Sequence, residues 1–171
     1  MSMEEQGRVP SEDLRERVRD TTINDTTLLS TDYCNHLNEV VMMIGMVADM
    51  PVLLEDALAW KPVSYADHFL SSGLSIGPLA IEAYENCEAR YRDSFDATLL
   101  QFNDRVAAGC TELSEIVATG DAEYIAFQAN ALSMELQGLI DNLGAIIHGA
   151  SDLVDEGETE GLSQDDIDAL F

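Results

Sequence analysis

Two long apolar stripes at helical spacing, separated only by Thr119-Gly120-Asp121, constrain the fold more than any other feature of this chain. The first begins near Pro78, a residue suited to a helix's first turn because its missing N–H has no partner there anyway. It runs through Ala80, Tyr84, Cys87, Tyr91, Phe95, Leu99, Phe102, Val106, Leu113 and Ile116. The second runs through Ala122, Ile125, Ala129, Leu132, Leu136, Leu139, Leu143, Ile146 and Ala150. Apolar residues recurring every three or four positions share one helix face. Gly120 suits the left-handed position after a helix end, and Asp121 suits the cap of the next helix. So short a connection brings the two helices back antiparallel. Their apolar faces need cover, either from a second copy that completes a four-helix bundle or from helices earlier in the same chain. The sequence leaves both open. The expected fold class is all-α, a helical bundle built on a long antiparallel hairpin.

The upstream sequence offers shorter helices. Ser30 or Thr31 can cap a helix whose apolar positions are Tyr33, Leu37, Val40, Ile44 and Val47. Pro51 stops it and can open a second helix through Trp60, which Lys61-Pro62 ends. Ser64 can cap a further turn through Leu70, and Ser71-Ser72-Gly73 reads as a loop. Met42, Met43, Met46 and Met50 cluster on this segment; core or a dimer seam is expected, with an adaptable docking face as the alternative. No run alternates as a strand would. Residues 1–20 hold four of the seven arginines among many acids, and Ser11 with Glu12 and Asp13 can start a short helix. A solvated arm or loosely docked helix is expected there.

Charge narrows the partners. The 171 residues carry 33 acids against 8 bases, a net charge of −25, and Lys61 is the only lysine. Nucleic acid and anionic membrane surfaces are disfavoured, because both require cationic side chains. Apolar residues make up 46%, enough for a real core. Cys34, Cys87 and Cys110 are widely spaced within helical patterns and read as buried free thiols. No signal-peptide or membrane-span pattern is visible, so a cytoplasmic location is expected.

The last ten residues carry the most specific signal. Ser163 and Asp166 have capping-box spacing, Leu162 and Ile167 have staple spacing, and Ile167, Leu170 and Phe171 share a helix face. So short a helix is marginal alone and suggests a peptide that folds on a partner. Leu162, Ser163, Gln164, Asp165, Asp166, Ile167, Asp168, Ala169 and Leu170, followed by Phe171, resemble the receiver-docking peptide of the flagellar switch protein FliM. That pattern runs Leu-Ser-Gln-x-Glu-Ile-Asp-Ala-Leu. They are also similar to the C-terminal tail of the chemotaxis phosphatase CheZ. Asp166 stands in the Glu place. The resemblance covers ten residues and implies a partner, a CheY-like response-regulator receiver, preferentially phosphorylated. These ten residues are the expected partner-binding site.

The resemblance to CheZ raises the question of catalysis. Hydrolysis of a receiver's aspartyl phosphate needs an amide to orient water and an acid to engage the receiver's lysine, with Mg²⁺ supplied by the receiver. CheZ places these as Asp-x-x-x-Gln, and no acid here is followed by Gln four residues later. Looser pairs are Glu82 with Asn86, Gln137 with Asp141 in reversed order, and Asp32 with Asn35. His36 is a candidate phospho-acceptor only if exposed, and no histidine has metal-ligand spacing, so neither a metal nor a cofactor of the chain's own is expected. Whether the chain is an enzyme stays open.

The layout expected is a charged arm at 1–24, a helical bundle at 25–154, a flexible acidic linker at 155–161 and a receiver-docking peptide at 162–171. The function expected is a chemotaxis or two-component accessory protein that sequesters or modulates the receiver. One alternative is a receiver phosphatase using a non-standard acid–amide pair. Another, from the resemblance of 112–150 to phasins, is a phasin-like or homodimeric helical scaffold.

Overall fold

The structure, a computed structural model, describes residues 10–150. Within them the chain is all-α. Seven helices run α1 (Glu12–Val18), α2 (Cys34–Gly45), α3 (Leu53–Ala59), α4 (Tyr65–Ser71), α5 (Gly77–Glu85), α6 (Ala89–Val117) and α7 (Ala122–Ile147). One 3₁₀ turn, Thr31–Tyr33, precedes α2. Among the described residues there is no strand, only a single antiparallel bridge between Ile23 and Ser30.

The hairpin forms where the sequence placed it. Gly120 takes a φ of 73°, and Asp121 accepts the Tyr124 N–H at 3.1 Å as the cap of α7. Side-chain caps also start three shorter elements: Ser11 for α1, Ser30 for the 3₁₀ turn and Ser64 for α4. The hairpin's apolar faces are covered within the chain. α7 packs on α6 along one flank and on α2 along the other, while α3 closes over α6. Tyr33, Leu37, Ile44, Phe95, Phe102, Leu113, Leu136, Leu143 and Ile146 are fully buried at this junction.

α2 runs antiparallel to α7. Thr27, just before α2, bonds Ile147 at the far end of α7, and Gly45 at the end of α2 meets Ser133. A Cβ on Gly109 of α6 would fall 2.5 Å from Leu132 Cδ1, so the bare backbone there makes room for α7.

Two expectations change and one is narrowed to one of its alternatives. The stripe from Ala80 to Ile116 is not one helix, because Asn86 and Glu88 break it. Glu88 is extended at ψ 140°, and the Asn86 amide donates back to the Glu82 carbonyl at 2.8 Å. Asn bonds to nearby backbone in this way and offers the chain an exit from the helix. Of the solvated arm and the docked helix expected at the N-terminal side, residues 11–24 take the second: Ser11 caps α1, Leu14, Val18 and Ile23 are buried, and Arg17 forks onto Glu82 of α5. Met42, Met46 and Met50 are exposed and only Met43 packs against the core, so that cluster is mostly surface. The linker 155–161 and the peptide 162–171 lie outside the described residues.

Candidate functional site

The acid–amide pairs are each engaged within their own surroundings. Glu82 accepts both Arg17 guanidinium nitrogens, at 2.9 and 2.7 Å. That hydrogen bond and its charge hold the Glu82 carboxyl below the usual range. Asn86 spends its amide on the α5 C-terminus. Gln137 Nε2 donates to Asp141 Oδ1 at 3.1 Å on the outer surface of α7. The first pair is on α5 and the second on α7, two helices that are not principal packing partners. Asp32 accepts the Thr22 hydroxyl at 2.6 Å and is likewise occupied. Nothing brings these groups around one reacting atom.

His36 is buried, which removes it as an exposed phospho-acceptor. Its ring stacks on Trp60 at 4.8 Å, and Nε2 accepts the Val63 N–H at 3.2 Å. Burial lowers its pKa, with His68, 6.0 Å away, pushing the same way and Glu39 opposing. The ring is therefore neutral, with its proton on Nδ1. Its role is structural: it supports the Trp60 indole and the start of the segment leading to α4.

The thiols are buried and free. Burial pushes Cys34 up to about 11 and Cys87 up to about 12, and also raises Cys110. Thiolate is the reactive form, so none of the three is a nucleophile. Among the described residues no group of three His, Cys, Asp or Glu side chains forms a ligand cluster.

A concave feature among the described residues lies between α3 and α6. Ala57, Leu58, Trp60, Pro62, Asn103, Val106, Ala107, Cys110 and Thr111 line a cleft of about 270 Å³. Trp60 Nε1 and Asn103 Oδ1 are both buried without a hydrogen-bond partner. A buried donor and a buried acceptor left unpaired are costly, and a ligand offering the complementary groups would satisfy both. Trp60 is the sole tryptophan, but no spacing rule connects it with Asn103 across 43 positions of chain.

The residues expected to form a docking peptide, Leu162 to Phe171, fall outside the described residues, so they have no described neighbours. Among the described residues no helix is long and apolar enough to cross a membrane. Comparison with protein-family models, with curated proteins and with solved structures finds no match to this chain. The class the fold defines is an all-α helical bundle on a long antiparallel hairpin.

Proposed function

We propose that this protein is a two-part signalling accessory: a helical body that carries, at residues 162–171, a peptide docking on a CheY-like receiver domain. The observation that carries this reading is the ten-residue sequence itself. It combines a capping box, a staple, three acids and a one-sided apolar triad, in the order that FliM uses. Ile167, Leu170 and Phe171 fill an apolar groove on the receiver, helix-in-groove fashion. Asp165, Asp166 and Asp168 face its basic rim, which raises the association rate and makes it fall with salt. Residues 155–161 (DEGETEG) hold no apolar side chain and act as the tether. Once the peptide is bound, the body meets the receiver at high effective concentration and sequesters or repositions it.

The engaged state of Glu82, Asn86, Gln137 and Asp141 favours this binding role over a phosphatase. The test is a binding titration with Ile167→Ala combined with Leu170→Ala. Loss of receiver binding is expected, with the far-UV circular dichroism of the body unchanged. Undiminished affinity in the double variant would sink the docking model.

A further inference from the structure

Among the described residues one helix face stays uncovered. Between Tyr124 and His148, α7 holds only two carboxylates, Glu135 and Asp141, and both are engaged, by Arg105 and Gln137. In a chain with 33 acids this is an unusually neutral surface, and depletion of charge marks the core of protein interfaces. The outward side of α7 instead shows Phe127, 70% exposed, and Met134, 76% exposed. Beside them lie Ala131 and Gly138, both exposed, and Ala145. Among the described residues a Cβ on Gly138 would meet nothing within 4 Å, as would one on Gly144. Glycine in a helix interior weakens it, and at Gly138 it leaves room for a close approach from outside.

The order of these residues says what approaches. Phe127 and Ala145 stand at equal separation from Leu136, and so do Met134 and Gly138. If a second α7 lies antiparallel with the two-fold axis at Leu136, Phe127 of each copy meets Ala145 of the other. Met134 then meets Gly138. Large side chains oppose small ones at these two levels, the self-complementarity an isologous contact requires, while Ala131 falls opposite Asp141. Phe127 and Ala145 are separated by five helical turns, about 27 Å, and lie on one line along the helix.

We propose that the outer face of α7 pairs with a second copy of this chain, antiparallel and centred on Leu136. Two bodies of charge −25 repel, so the association strengthens as salt screens them. The pairing is independent of the docking peptide.

Sedimentation of the full chain from micromolar to millimolar is expected to show a monomer–dimer equilibrium that shifts toward dimer with added salt. Met134→Glu is expected to leave only monomer, with the thermal midpoint of that monomer unchanged because the side chain is exposed. Gly138→Gln acts likewise, although Gln favours helix more than Gly does. Phe127→Cys together with Ala145→Cys is expected to give a covalent dimer on oxidation. Phe127→Cys alone is not, its two copies being about 27 Å apart. Three results overturn the proposal: a full chain that stays monomeric throughout, a dimer that survives Met134→Glu, or Phe127→Cys alone crosslinking as readily as the pair. A chain that dimerises only when residues 162–171 are deleted also overturns it, because its own tail would then be the cover.

Discussion

Thr27 is fully buried, and its hydroxyl donates to the Ile147 carbonyl at 2.6 Å, which ties the segment before α2 to the end of α7. The last carbonyls of a helix have no partner inside it, so this bond satisfies an acceptor that is otherwise orphaned in the core. Thr27→Val keeps the shape and removes the donor. It is expected to cost about 1–3 kcal/mol in urea unfolding, the penalty of an unsatisfied buried group; a cost near zero would show that the bond is not needed. His36 gives a second residue-scale prediction. Its folded pKa lies below the unfolded value, so the folded state binds fewer protons. Its contribution is whole above the unfolded pKa of about 6.5 and is lost as pH falls from there through the folded value. Between about pH 7.5 and about pH 5.5 the chain should therefore lose stability that His36→Gln does not lose. Equal loss in both would place the titration elsewhere. Neither residue's role is legible in the sequence. Thr27 lies 120 positions from Ile147, and His36 reads as a helix-surface histidine until Trp60 and Val63 fold over it.

At the scale of elements, Ser64, Gly120 and Asp121 act where the sequence puts them, through dihedral preference and side-chain bonds within three residues, and local rules reach that far. Pro51 is not the stop of the early helix: α2 ends at Gly45, well ahead of it, and Ser30 caps the 3₁₀ turn rather than α2. The break at Asn86–Glu88 was hidden because the apolar spacing runs through it without interruption. Packing of α5 against α4, and of α6 against α7, turns one stripe into two helices. The closeness of α6 and α7 depends on Gly109. Gly109→Ala would place a methyl 2.5 Å from Leu132 Cδ1, itself buried and unable to swing away freely. Overpacking of this kind is expected to cost about 1–3 kcal/mol, measured as a lower thermal midpoint. A gain, as helix propensity alone would give, would mean that Leu132 relaxes at no cost.

For the whole molecule, the sequence left open whether the hairpin is closed by a second copy or by its own earlier helices, and the structure closes it with α2 and α3. That choice depends on contacts between residues a hundred positions apart, which periodicity does not encode. It also turns the dimer question outward, to the far face of α7. The body thus has a filled core, engaged acid–amide pairs and three buried thiols, while the receiver-docking peptide proposed at residues 162–171 lies outside the described residues. The division predicts that the two parts separate cleanly: cutting the chain after residue 161 should leave the body's melting transition unchanged. Receiver docking stands or falls on a titration of a CheY-type receiver, with and without a phosphoryl mimic, against the full chain and the chain ending at residue 161. Binding by the full chain alone, tighter with the mimic, is expected. Equal binding by both chains, or none by either, would contradict it.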